Sequence, residues 1–151
     1  MTKTYSKSPS DSLLKTLAQF RYEIRSFLQF SEDAALKEGL HPKQHQLLLQ
    51  VAGAPVGTAA TIAYAAERLC LRHNSTVELV DRSVSEGLLI RSADQSDKRK
   101  ALLSVTPKGK SVLSRLSEVH ARELNELAPQ LVRSLKYIGL HAEGRAKKVM
   151  R

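Results

Sequence analysis

Apolar residues recur at spacings of three and four from Leu13 and Leu14 through Leu17, Phe20, Ile24, Phe27 and Leu28. That spacing predicts a long amphipathic helix. A polar arm over 1–9 ends at Pro9, Ser10 is placed to cap the helix, and Gly39 to end it near Glu38. Pro42 suits the first turn of a second helix with Leu47, Leu48, Leu49 and Val51, which Gly53, Pro55 and Gly57 break. Thr58 or Thr61 caps a short third helix holding Ile62, Ala65, Ala66 and Leu69. After a tight connection over 70–74, a fourth helix carries Val77, Val80 and Val84 and ends at Gly87.

The pattern then changes period. Leu88-Leu89-Ile90 and Ala101-Leu102-Leu103-Ser104-Val105 are short apolar runs around a polar loop from Ser92 to Lys100. Two such runs read as a β-hairpin with an extended tip. Thr106-Pro107 opens another helix with Val112, Leu113, Leu116, Val119, Leu124 and Leu127. Pro129 is expected to interrupt it, leaving Leu131, Leu135 and Ile138 to a last helix with Lys147-Lys148 near its frayed end. The expectation is a mainly α chain of six helices with one small hairpin. Its parts are an arm and first helix over 1–40, a compact middle over 41–106, and C-terminal helices over 107–151.

Composition sharpens this. The 151 residues are one domain's worth, and 42% hydrophobic content supports a core. Trp is absent and aromatics are 5%, so Leu, Val, Ile and Ala must fill that core. The single cysteine, Cys70, excludes an internal disulfide framework and fits a reducing compartment. With no run of apolar residues long enough for a signal peptide or a membrane span, the chain reads as soluble and cytoplasmic. Net charge is +9 and concentrates toward the ends, since segment 72–100 holds six basic and five acidic residues. Charge alone leaves the choice open between nucleic acid and another anionic surface.

The deciding segment is 61–109, where two short helices joined by a tight turn precede a hairpin. That is a winged helix-turn-helix, a unit that sets its second helix in the major groove and reaches a minor groove with its wing. The motifs Thr61-Ile62, Glu67-Arg68-Leu69, Ser75-Thr76-Val77, Val80-Asp81-Arg82 and Glu86-Gly87-Leu88 resemble the multiple-antibiotic-resistance regulator (MarR) family. So do Asp94, Asp97-Lys98-Arg99, Leu103-Ser104-Val105-Thr106 and Gly109 in the wing and beyond. The resemblance covers nearly the whole chain and is most specific in the wing. It implies a homodimer built from the first and last helices, binding to a pseudo-palindromic operator in double-stranded DNA, and action mostly as a repressor. In many members it also implies release by a small molecule such as a phenolic compound.

Candidate DNA-binding residues are Arg72, His73, Asn74, Ser75 and Thr76 at the start of the recognition helix, with Arg82 further along. Their short or donor-rich side chains suit base edges and phosphates, although Asn74 and Ser75 serve equally well as helix caps. Arg82 either meets phosphate or pairs with Glu78 or Glu86 at four-residue spacing. Lys98, Arg99 and Lys100 form a basic wing tip, and the resemblance implies that Asp97 orients Arg99 for the minor groove. Glu78 departs from the pattern, because an acid repels phosphate while able to accept from cytosine N4. Ala65 replaces a common Leu in the core. Phe27, Phe30 and Tyr64 are candidates for an effector pocket, and core packing explains them as well.

Other classes have weaker support. Cys70 sits among Arg68, Arg72 and His73, which would favour a thiolate and a redox sensor; a small half-buried cysteine is the ordinary reading. His41 and His45 are four apart, but Pro42 puts His41 ahead of the helix, so no metal site is expected and each histidine reads as a surface or capping residue. The chain carries no nucleophile elbow, phosphate loop or zinc-protease motif, so neither an enzyme nor a cofactor is expected. A winged-helix adaptor that docks proteins instead of DNA is the alternative from another class.

Overall fold

A computed structural model describes residues 11–149, with side chains described for 11–142. The expected arm over 1–9 and the cap at Ser10 lie outside the described residues, as do the side chains of Lys147 and Lys148. In chain order the elements are α1 (Asp11–Lys37), α2 (Pro42–Ala52), α3 (Ile62–Leu69), α4 (His73–Ser85), β1 (Leu89–Ala93), β2 (Ala101–Val105) and α5 (Pro107–Val149). The chain divides into two compact units. The central unit is Ser31–His120; the terminal unit combines the described residues up to Phe30 with those from Ala121 onward.

The described residues hold five helices where the sequence led us to expect six. Pro129 lies inside α5, which is continuous. Leu124, Leu127, Leu131, Leu135 and Ile138 keep helical step across Pro129, so the two expected helices share one apolar face. The missing N–H and the ring clash cost about 3 kcal/mol, spread over a long helix whose other turns are intact.

In the central unit, α3 packs on α2 and α4, α2 also meets β2, and α4 also meets β1. Leu47, Leu48, Ala65, Val80, Leu89 and Leu116 are among its fully buried side chains. The helix ends follow from local chemistry. Gly39, at φ +73°, ends α1 with Leu40 N–H donating to Ala35 O at 2.9 Å and Gly39 N–H to Leu36 O at 3.0 Å. His41 caps α2, its Nδ1 accepting from Lys43 N–H while Gln44 Oε1 accepts from His41 N–H, each at 3.2 Å. Thr61, not Thr58, caps α3, its Oγ1 accepting from Tyr64 N–H at 3.1 Å.

The hairpin is antiparallel, with Leu89 opposite Val105 and Ala93 opposite Ala101. β1 therefore runs on through Ser92 and Ala93, which were expected in the loop. Leu103 N–H donates to Ala60 O at 2.8 Å, and Thr61 bridges Leu102, so the chain before α3 lines the other edge of β2. Below the hairpin, Thr106 Oγ1 donates to Gly87 O at 2.7 Å and accepts from Gly109 N–H at 3.0 Å. A Cβ on Gly109 would stand 2.5 Å from Leu88 O and 2.7 Å from Val105 Cγ1. Only glycine lets the start of α5 approach the exit of α4 this closely.

Two histidines depart from expectation. His45 and His120 are buried at 2% and 8% exposure rather than lying on the surface. Their rings stack, with centroids 5.0 Å apart and planes 18° from parallel. Burial, and then the charge of His120, push His45 down to about 4. Burial also lowers His120, against the opposing pull of the Ser31 and Leu116 carbonyls.

Candidate nucleic-acid interface

The candidate DNA-binding residues of the sequence lie on α4 and the hairpin of the central unit. Arg72 is the N-cap of α4 in extended conformation and supplies no side-chain cap. The first backbone bond closing the helix runs from Thr76 N–H to Arg72 O at 3.0 Å. Asn74 and Ser75 thus fall inside the first turn rather than at the cap position, which corrects the capping reading. His73, Asn74 and Ser75 are exposed, beside first-turn N–H groups suited to phosphate.

Thr76 departs from the expected set. It is 0% exposed, and its Oγ1 donates to Arg72 O at 3.0 Å. It lies on the core face with Leu79, Val80 and Ser83, so it holds the helix rather than presenting itself to a ligand. Arg82 is exposed, and no ion pair joins it to Glu78 or Glu86 among the described residues. Glu86 Oε2 accepts instead from Gln44 Nε2 of α2 at 2.9 Å. Arg91 of β1 holds Asp81 of α4 at 2.9 Å, tying the wing's first strand to the helix. Neither link was anticipated, because each joins residues whose approach depends on the tertiary fold.

At the wing tip Lys98, Arg99 and Lys100 are exposed. Asp97 Oδ1 accepts from Arg99 Nε at 3.2 Å and from Arg99 N–H at 3.1 Å, while the arginine side chain stays 92% exposed. The guanidinium is aimed by its neighbour and left open to solvent. Asp94 braces the loop base, accepting from Ser96 N–H at 2.8 Å and from the Ser96 hydroxyl at 2.7 Å. Those bonds lower its pKa below the ordinary carboxylate value.

A groove of about 290 Å³ runs beside α4, lined by His41, Lys43, Leu71, Ser75, Glu78, Leu79 and Arg82. It brings Lys43 of α2 and the cap residue His41 alongside α4, a juxtaposition that nothing in the sequence pattern announced. Cys70 is exposed rather than half-buried, and adopts a left-handed conformation at the end of α3. Tyr64 is half-buried in the central unit, its hydroxyl donating to Gln50 O at 3.4 Å. Phe27 and Phe30 are half-buried on α1 in the terminal unit.

This arrangement defines a winged helix-turn-helix. Solved structures with the same fold include AbsC, a MarR family transcriptional regulator from Streptomyces coelicolor, at TM-score 0.67 and 16% identity, covering 92% of this chain and 99% of that one. A mutant of MepR from S. aureus, bound to oligodeoxyribonucleotide, superposes at TM-score 0.61 and 14% identity over 95% of this chain and all of that one. CouR from Rhodococcus jostii RHA1, bound to p-coumaroyl-CoA, does so at 0.65 and 19% over 85% and 95%. The chain has the fold of the MarR family regulators.

In sequence, the chain is 26% identical over 111 residues to a protein of Thauera aromatica assigned as the transcriptional regulatory protein for the hcr operon. It is 31% identical over 84 residues to the uncharacterized HTH-type transcriptional regulator YkoM of Bacillus subtilis. These matches take in 74% and 50% of this chain, and 65% and 54% of the relatives' own lengths. No protein-family model matches. No helix among the described residues is long and apolar enough to cross a membrane.

Proposed function

We propose that this chain is a cytoplasmic, sequence-specific DNA-binding transcriptional regulator without catalytic activity, acting as a homodimeric repressor on a pseudo-palindromic operator. The observation that carries the reading is the pairing, on one unit, of an exposed polar helix start with a wing arginine held by Asp97. Arg72, His73, Asn74 and Ser75 address the major groove, Arg82 the backbone, and Arg99 with Lys98 and Lys100 the minor groove. Thr76 is left out because it is buried. The relatives named as transcriptional regulators and the oligodeoxyribonucleotide-bound MepR support the same reading.

Dimerisation falls to the helices within 1–40 and 107–151, whose exposed apolar residues need a cover. The two recognition helices then address half-sites about one helical turn apart, roughly 34–36 Å. A small aromatic or phenolic effector is part of the proposal; CouR with p-coumaroyl-CoA supports that class of ligand.

Binding to duplex DNA at several salt concentrations tests this directly. The affinity should fall steeply with salt. Arg99→Ala should lower the slope by about 1 to 2 for the dimer, at roughly 0.9 for each phosphate that the arginine no longer neutralises. Salt-independent or absent binding would return the chain to the class of protein-docking adaptors.

A further inference from the structure

The core side of α4 carries Thr76, Leu79, Val80 and Ser83. At about 100° per residue, the opposite side carries Asn74, Glu78, Asp81, Arg82 and Ser85, all exposed. Two of these five are acids, an unusual choice for a surface meant to meet a polyanion. Their situations differ. Asp81 is held by Arg91 at 2.9 Å, so its charge is answered inside the protein. Glu78 is exposed and enters no ion pair among the described residues. It is the only formally charged side chain between Arg72 and Asp81, and it lines the groove that also holds Lys43, Ser75 and Arg82.

We infer that Glu78 specifies a cytosine, and so a C·G pair, at one position in each half-site; the inference rests on the DNA-binding reading above. A carboxylate only accepts hydrogen bonds. Phosphate oxygens repel it, and so do guanine N7 and O6 and thymine O4. The donors in the major groove are the amino groups of cytosine and adenine, and adenine sets the N7 acceptor beside its amino group. Cytosine N4 is therefore the partner that a carboxylate on this face can satisfy. Lys43 and Arg82, flanking Glu78 in the groove, supply positive charge for the neighbouring backbone and leave the carboxylate to the base edge.

The test is selection from a randomised duplex library by the wild-type protein, Glu78→Ala and Glu78→Gln, with titrations on the selected operator and on its C·G to T·A variants. Glu78 is exposed, so thermal melts of the variants should match the parent. Wild type should select a cytosine at two symmetric positions, and changing it to T·A should weaken binding on the order of ten- to a hundred-fold. Glu78→Ala should lose preference at that position alone, and Glu78→Gln should shift it toward adenine. The assignment is overturned if Glu78→Ala selects the same operator and only tightens binding to every duplex by one factor, because the acid is then a general brake. Salt-dependent binding of wild type to unselected duplex is measured alongside. Its absence removes the DNA-binding reading itself, whereas its presence with unchanged base preference removes only the role of Glu78.

Discussion

The two units bury different things. The fully buried apolar side chains among the described residues all lie in the central unit, between Ala35 and Leu116. In the terminal unit the buried side chains are polar, Glu23 and Ser134, while Leu14, Ile24, Leu28, Leu124, Val132, Leu135 and Leu140 stand exposed, Leu140 at 70%. The central unit has a core of its own. The terminal unit has amphipathic helices with apolar residues on the outside, the condition of a surface that needs another protein surface to be stable in water. This contrast divides the labour: the central unit carries the proposed recognition chemistry, and the terminal unit the proposed dimer.

The strongest way to break the comparison is to charge the two surfaces in turn. Each large apolar side chain buried on dimerisation is worth roughly 1.5–3 kcal/mol. Leu28→Lys combined with Leu135→Lys should therefore abolish the dimer and, with it, the folded state at micromolar concentration. Ile90→Lys, at an exposed position of the hairpin, should change stability by no more than about 0.5 kcal/mol. Sedimentation equilibrium with denaturant titration reads both. A folded wild-type monomer at micromolar concentration would end the division of labour as stated.

The next effect belongs to the central unit and to pH. His45 is held at about 4 in the folded protein, below its ordinary 6.5, by burial and by His120. The unfolded chain thus binds more protons between those values. The contribution is complete above about pH 6.5 and is lost as pH falls toward 4. At about 1.36 kcal/mol per pH unit, the full effect is on the order of 3 kcal/mol. His120, also lowered by burial, adds in the same direction. His45→Phe keeps a ring against His120 and removes one titrating group, so its urea midpoint should move less than that of wild type between pH 7.5 and 5. Parallel loss in both proteins would mean that the pair does not govern acid stability.

Gly109→Ala should cost about 1–3 kcal/mol, because the added carbon meets the Leu88 carbonyl and Val105 with no room to move. At this chain length that lowers the melting temperature by roughly 2–4 °C per kcal/mol. The same substitution at Gly139, in the terminal unit, meets nothing within 4 Å and should be neutral or slightly stabilising. Equal melting temperatures for the two variants would show that the junction of α4, β2 and α5 is looser than its geometry.

The order of elements up to α5, the helix stop at Gly39, the basic wing tip and a threonine cap for α3, at Thr58 or Thr61, were legible because each depends on residues within a few positions. What escaped depends on the third dimension. Pro129 is a strong local signal for a break, yet the unbroken step of Leu127, Leu131 and Leu135 carries the helix through it. Thr76 looks like its exposed neighbours until the helix face is known. His120 is the residue whose sequence position did give a clue, since it stands four beyond Leu116 on the apolar stripe of α5. His45, likewise three before Leu48, stands on the inner face of α2. The links Arg91 to Asp81 and Gln44 to Glu86 span 10 and 42 residues, with no pattern in the intervening chain to announce them.

The smallest effect is at Cys70, and it separates conformation from chemistry. Cys70 is the only non-glycine residue with positive φ among the described residues, at φ 53° and ψ 40°. The bonds around it, Leu71 N–H to Ala66 O at 2.9 Å and Cys70 N–H to Glu67 O at 3.1 Å, repeat those that end α1 at Gly39. The position therefore requires a left-handed residue, which costs an L side chain about 1–2 kcal/mol. Cys70→Gly should relieve this, less the extra freedom glycine gains in the unfolded chain, for a net stabilisation of about 0.5–1 kcal/mol. Cys70→Ser keeps both the side chain and the strain, so its stability and DNA affinity should match the parent, with or without mild peroxide. Chemical denaturation of the three proteins, with DNA titrations before and after oxidation, reads both quantities. If Cys70→Gly is less stable than wild type, the thiol makes a packing contact worth more than the strain. If peroxide releases wild type from DNA but leaves Cys70→Ser bound, the residue is a redox switch and its backbone conformation is incidental.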